Sequence, residues 1–290
     1  MKKKILITGI NGFLGSHLAK TLKYSYEVIG LEYSLDNLFR IESENFKVYS
    51  SLKSNLETIF LENDFYAIIH AATVYRKQLE PLGNLIKTNI LLPVNLLDLA
   101  IKSGVSLFLN TDSFFNNPSY TYSYLSDYTL SKKQSLEWIK LLSASSSCKV
   151  VNMKIFHMYG KEDAPNKFIP NILEIINSNT PFLKMTSGEQ TRDFIYIKDV
   201  VSAYNSVLCS FKQLKKYQEF EIGSGQSYSI KNTTKLIKKI TQSKTVLKFG
   251  ELPYREGEIM VSMVSNFDLK KLGWKPNFSL KNGLKDYILK

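Results

Sequence analysis

Cysteine is almost missing. Only Cys148 and Cys209 occur in 290 residues, too few for a disulfide framework or a thiolate zinc site, so a reducing, cytoplasmic setting is the expectation. Histidine is nearly as scarce: His17, His70 and His157 share no metal-ligand spacing, so no metal is expected and each reads as a packing or hydrogen-bonding residue. No uninterrupted apolar run approaches the roughly 18 residues of a membrane helix. The start, MKKKILITGINGFLG, has no small-residue cleavage site and does not read as a signal peptide. Walker loop, nucleophile elbow, repeat and low-complexity linker are all absent.

What is present describes a globular chain. Hydrophobic residues make up 44% and charged residues 22%, which excludes a disordered or collagen-like polymer. The length suits one large domain or two coupled lobes. The net charge of +12 suits anionic ligands, but the lysines are spread over the whole length. They read as a solvated surface, with no nucleic acid and no membrane as partner.

Periodicity places a strand at Ile5–Thr8, a helix carrying Leu14, Leu18, Ala19 and Leu22, and a strand at Glu27–Leu31. A helix at Asn55–Glu62, a strand at Tyr66–Ala72, a long helix at Leu85–Lys102 interrupted by Pro93, and a strand at Ser106–Leu109 follow. Phe114–Tyr124 reads as a loop, Asp127–Leu142 as a helix and Val150–Phe156 as a strand. Such alternation predicts an α/β fold, a doubly wound parallel sheet with right-handed crossovers, over residues 1–160. Smaller elements over residues 161–290 predict a second lobe with chain returns to the first: helices at Phe168–Asn177, Val200–Cys209 and Ile230–Thr241, strands at Asp193–Ile197 and Glu219–Ile222.

The first strand runs into TGINGFLG, with glycines at 9, 12 and 15. Bare glycines let backbone amides and a helix N-terminus approach a pyrophosphate, favoured by the helix dipole. The segment Gly9, Asn11, Gly12, Phe13, Leu14 and Gly15 is therefore a candidate dinucleotide cradle of a Rossmann-like domain. Glu32, ending the second strand, is the acceptor expected for adenosine ribose hydroxyls, and its charge would repel a 2′-phosphate. NAD(H) is thus favoured, while Arg40, a few residues on and able to fold back, leaves NADP(H) open.

Tyr128 and Lys132 form YxxxK on a predicted helix, so both side chains rise from one face. The string alone is weak, since 17 tyrosines and 38 Lys+Arg predict about two such hits by chance. A second hit, Tyr49 with Lys53, falls on a short surface strand, whereas Tyr128 opens the helix after the fifth strand. Bringing a tyrosine from about 10 to about 7 takes roughly 4 kcal/mol of preferential stabilisation of the phenolate. Lys132 and an oxidised nicotinamide are the expected sources. Thr111, at the end of that strand, is placed where ligands bind a parallel sheet, and its hydroxyl is expected to share the oxygen that Tyr128 protonates.

These residues resemble the extended short-chain dehydrogenases/reductases, the NAD-dependent epimerase/dehydratase family of nucleotide-sugar enzymes. The likeness runs through TGINGFLG, HAAT at 70–73, Asn89, Thr111 with Tyr128 and Lys132, RDFIYIKDV from Arg192, and REGEI…LGWKPNF. It implies a catalytic set of Thr111, Tyr128 and Lys132, cofactor contacts at Ala71, Ala72, Asn89, Tyr128 and Lys132, and a nucleotide-diphosphate sugar as partner. Thr73, Asp112, Ser113, His157, Asn166, Lys167, Arg192 and Arg255 are the implied substrate contacts, the two arginines on the diphosphate. Homodimers form in this family through the helix bearing the Tyr–Lys pair.

Departures from the family pattern narrow the expected reaction. Thr111-Asp112-Ser113 lacks the glutamate that the sugar 4,6-dehydratases use as base, which argues against water elimination. His157 stands where most relatives have Asn. FLNTDSFF, NKFIP, GEQTRDFI and GWKPNF look like the phrases of a reductase of CDP-linked 3,6-dideoxy-4-ketosugars in surface-polysaccharide assembly. The expectation is NAD(P)H-dependent reduction of a sugar 4-ketone, with a nucleotide-sugar 4-epimerase as the nearest alternative. A non-catalytic cofactor sensor is the rival from another class; such proteins lose the Tyr or Lys, and both are here.

Overall fold

Ile5, Leu6 and Ile7 are all fully buried, the mark of a central parallel strand covered on both faces. The computed structural model describes residues 1–76, 81–117, 124–178 and 180–289. Its strands are β1 (Lys4–Thr8), β2 (Glu27–Glu32), β3 (Lys47–Ser50), β4 (Phe65–His70), β5 (Leu107–Ser113), β6 (Lys149–Ile155), β7 (His157–Tyr159), β8 (Phe182–Met185), β9 (Thr191–Tyr196), β10 (Tyr217–Ile222), β11 (Ser227–Ser229) and β12 (Val246–Phe249). Its helices are α1 (Phe13–Leu22), α2 (Leu56–Glu62), α3 (Leu82–Ile86), α4 (Leu92–Lys102), α5 (Ser126–Ala144), α6 (Phe168–Asn177), α7 (Ile197–Cys209), α8 (Ile230–Thr241), α9 (Phe267–Lys271) and α10 (Leu280–Leu289).

Seven strands form one sheet in the order β10-β6-β5-β4-β1-β2-β3. β3, β2, β1, β4 and β5 all run parallel, the Rossmann-like doubly wound arrangement. Leu6, Ile68, Phe108 and Val150 meet Leu96, Leu97 and Ala100 of α4 and Ile139 of α5 in one core. Side chains alternate along a strand. Since Phe108 enters that core, Asn110 and Asp112 share its face of β5, and Thr111 takes the other.

The chain divides into two compact units. The first comprises Met1–Asn117, Leu125–Lys154 and Tyr204–Phe220. The second holds the rest of the described chain, with a three-stranded sheet β11-β9-β7 and a parallel pair β12-β8.

Pro93 leaves a precise trace. The long helical pattern becomes α3, a π-helical turn at Lys87–Leu91, and α4, in which Pro93 occupies the first turn. Pro lacks the amide that an inner turn would bond, and the widened turn just before it takes up the mismatch. Leu82–Lys102 is the one stretch among the described residues long and apolar enough by composition to cross a membrane; here it packs against α5, with Leu85, Leu96, Leu97 and Ala100 buried. Of the predicted Phe114–Tyr124 loop, residues 118–123 lie outside the described residues.

Candidate active site

The glycine loop is tight enough that all three of its glycine positions exclude a side chain. Gly9 adopts φ +64°, and a Cβ there would stand 2.8 Å from Ala72 Cα; at Gly15 a Cβ would stand 2.0 Å from the Gly9 carbonyl oxygen. The loop is pinned by Gly9 N–H donating to Leu31 O at 2.8 Å and Gly12 N–H to Gly9 O at 2.8 Å. α1 begins at Gly12 with no side-chain cap and no acidic residue in its first turn. Its first amides are therefore left for an external anion, and these residues fit a dinucleotide pyrophosphate.

Glu32 reaches this loop. Its Oε2 accepts from Asn11 N–H at 2.9 Å and its Oε1 from Tyr33 N–H at 3.0 Å. Each carboxylate oxygen keeps acceptor capacity for a ribose hydroxyl. Arg40 does fold back: its N–H donates to Asn11 Oδ1 at 2.9 Å and its Nη1 to Asn11 O at 3.1 Å.

The HAAT segment is held from two sides. Thr8 Oγ1 accepts from Ala71 N–H and Ala72 N–H, both at 3.2 Å, and lies 2.9 Å from His70 Nδ1. Burial, reinforced by the charge of Lys132, drives the His70 pKa well below 6.5. Asn89 is fully buried. Its Oδ1 accepts from Val74 N–H at 2.9 Å and Thr73 Oγ1 at 3.3 Å, while its Nδ2 donates to Val74 O at 2.9 Å and Ser131 Oγ at 3.1 Å. The amide is taken up by protein partners and ties the segment after β4 to α5.

At the end of β5 the hydroxyl-bearing side chains have different partners. Tyr128 is buried at 3% exposure, but the Thr111 hydroxyl turns to the phenol of Tyr204 on α7, Oγ1 to OH 2.7 Å. The Tyr128 phenol feels the hydroxyls of both Tyr75 and Ser113, the first raising its pKa and the second lowering it. Thr111 and Ser113 share the face of β5 opposite Asp112. Asp112 is likewise not an open substrate contact. It is 3% exposed, with Oδ1 accepting from Ser113 N–H at 2.8 Å and Oδ2 from Asn116 Nδ2 at 3.0 Å and Asn152 Nδ2 at 2.9 Å. Burial raises its pKa against the pull of Lys132.

Lys132 stands one turn beyond Tyr128, as YxxxK requires, and donates from Nζ to the Thr111 carbonyl at 2.9 Å. Burial lowers its pKa, opposed by Asp112. The protein's own groups hold the Tyr128 hydroxyl well above its ordinary pKa: burial contributes most, then Tyr75 and Asp112, with Ser113 opposing. Tyr75 stacks on Tyr128, centroids 4.4 Å apart at 24°, worth about 0.5–1.5 kcal/mol beyond area burial. Neither Tyr75 nor Tyr204 was marked by any spacing in the sequence.

The other proposed substrate residues belong to the second unit. Arg192 pairs with Glu258 and donates to Thr191 O at 2.8 Å and to Ile259 O. Arg255 is exposed and lies over the Tyr124 ring at 4.4 Å. Asn166 and Lys167 are exposed just ahead of α6. His157 Nε2 is 3.4 Å from Ser262 Oγ, and burial, then Arg192 and Lys167, keep its pKa well below 6.5.

A profile of the NAD dependent epimerase/dehydratase family matches residues 5–223. The chain belongs to that family. Membership makes it an NAD-dependent enzyme of the oxidoreductase type, in keeping with a glycine loop that only a bare backbone fits. It is similar to CDP-abequose synthase of Salmonella typhimurium, 33% identical over 293 residues that cover 99% of this chain and 98% of the relative. CDP-abequose synthase of Salmonella muenchen is 33% identical over 291 residues, 99% and 98% of the two chains. In fold it is similar to UDP-glucuronic acid 4-epimerase from Bacillus cereus in complex with NAD, with TM-score 0.84 and 21% identity over 98% of this chain and 95% of that one. This chain carries Tyr128 and Lys132, both buried, one turn apart on α5.

Proposed function

We propose that this protein reduces the 4-keto group of a nucleotide-linked deoxysugar, of the CDP-3,6-dideoxy-4-ketosugar type, with NADH as the favoured reductant. One observation carries the reading: the Tyr128 phenol is buried and held in its protonated form, the state a proton donor to a carbonyl oxygen must have. The full-length likeness to two CDP-abequose synthases supports the substrate class.

The nicotinamide dinucleotide, when bound, supplies hydride to the carbonyl carbon. The loop from Gly9 to Gly15 and the start of α1 would hold its pyrophosphate, Glu32 its adenosine ribose and Lys132 its nicotinamide ribose. Tyr128 gives its proton to the oxygen that becomes the hydroxyl. Ser113 steadies the phenol, and Lys132 fixes the β5 backbone at Thr111, so positioning and general acid catalysis divide the work. Arg192 and Arg255 are assigned to the nucleotide diphosphate.

A homodimer is part of the proposal. α5 leaves Leu130, Trp138 and Leu141 exposed at 55%, 52% and 62%, and Leu82, Ile86 and Leu91 are exposed on the helical stretch packed against it. Apolar groups clustered this way favour a second copy of the chain.

The test is oxidation of NADH and NADPH against CDP-, GDP- and dTDP-linked 4-ketosugars. Stoichiometric NADH loss with the CDP-linked ketone is the expected result. Tightly retained NAD with interconversion of a sugar epimer and no net NADH loss would overturn the reading.

A further inference from the structure

Thr111 is held at both ends. Lys132 on α5 binds its carbonyl at 2.9 Å, and Tyr204 on α7 binds its hydroxyl at 2.7 Å. Tyr204 is fully buried, and among the described residues its phenol has this single hydrogen-bond partner.

The direction of that bond follows from burial. A sealed O–H with no acceptor is costly, whereas an acceptor lone pair left idle costs little. If Thr111 donated, the Tyr204 proton would be stranded in the core. Tyr204 must therefore donate, and Thr111 accept. Thr111 is only partly buried and lies near the carboxyl end of β5, the edge where ligands of parallel sheets sit. Its own proton is left to point away from Tyr204.

We infer that Tyr204 is a positioning residue: it donates to the Thr111 hydroxyl and so orients the Thr111 proton toward the substrate oxygen that Tyr128 protonates. This rests on the ketoreductase reading above. Tyr204 touches neither substrate nor cofactor in this role. Its removal lets the Thr111 hydroxyl rotate and lose its alignment, leaving substrate affinity intact.

The test is a double-mutant cycle of Tyr204→Phe and Thr111→Val, read by thermal melting and by NADH-dependent reduction of a CDP-linked 3,6-dideoxy-4-ketosugar. Tyr204→Phe should lower kcat about 3- to 10-fold, the worth of one hydrogen bond, with KM and NADH affinity unchanged. It should cost nothing further once Thr111 is Val, while Thr111→Ser, which keeps the hydroxyl, should stay near the wild-type rate. In melting, Thr111→Val strands the Tyr204 proton and lowers Tm, and adding Tyr204→Phe should restore much of the loss. Additive losses in turnover, wild-type turnover in Tyr204→Phe, or no recovery of Tm in the double variant would each overturn the inference. Tyr128→Phe serves as the control. If it turns over as wild type, the ketoreductase reading fails by itself, and the melting cycle still decides whether the two hydroxyls are paired as argued.

Discussion

Lys132 Nζ donates to the backbone carbonyl of Thr111 at 2.9 Å, joining α5 to the end of β5. The bond fixes where Tyr128, one turn earlier on the same helix, presents its phenol. Lys132→Met keeps the stem and removes the charge and the donor. We expect turnover to fall by at least about 100-fold, the scale of a lost acid–base group, with weaker NADH binding. Steady-state kinetics together with NADH fluorescence titration check both, and a variant unchanged in both excludes the proposed role.

Glu32 carries the coenzyme preference. Its carboxylate receives two backbone amides, which hold a negative charge where a 2′-phosphate would come, while Arg40 is anchored to Asn11 close by. Glu32→Ala removes the repulsion and leaves the arginine. The NADPH/NADH ratio of kcat/KM should rise about 10-fold or more, equivalent to about 1.4 kcal/mol. An unchanged ratio would show that Glu32 does not set the preference.

Two histidines with depressed pKa values make the fold acid-sensitive. In the folded chain His70 and His157 stay neutral well below 6.5, whereas the unfolded chain takes up protons there. The unfolded state binds more protons, so stability is fully present above about pH 6.5 and is lost as pH falls, by about 1.4 kcal/mol per pH unit for each histidine. Denaturant midpoints between about pH 6.5 and 5 should decline, and His70→Gln should remove about one proton from the slope. A slope equal to wild type in that variant would contradict the buried, neutral assignment.

The exposed apolar groups of α5 predict the assembly. Trp138→Glu with Leu141→Glu places two charges on the face proposed to meet a second copy. Sedimentation should show wild-type dimer and variant monomer, with secondary structure retained. A wild-type monomer at micromolar concentration would end the dimer proposal.

The legible parts of this molecule were those written in local spacing. The glycine loop, Glu32 at a strand end and the YxxxK pair each depend on residues a few positions apart, and the helices at Phe168–Asn177 and Ile230–Thr241 have the bounds that periodicity gives. Tyr204 meets Thr111 across 93 positions and Tyr75 lies far before Tyr128, so only the packed fold brings them together. Pro93 signalled a break in its helix without disclosing that a π-helical turn would absorb it. β8 and β12, with four residues each, are too short for a period of two to register. That the Thr111 hydroxyl pairs with Tyr204 depends on how α7 packs beside β5, and composition does not report it.

The most direct measurement is the turnover of Tyr128→Phe with NADH and a CDP-linked 3,6-dideoxy-4-ketosugar, alongside its NADH dissociation constant. The substitution removes one hydroxyl and keeps the ring stacked on Tyr75. Loss of turnover by about 100- to 10,000-fold with NADH binding unchanged is the predicted result; near wild-type turnover would contradict Tyr128 as the proton donor.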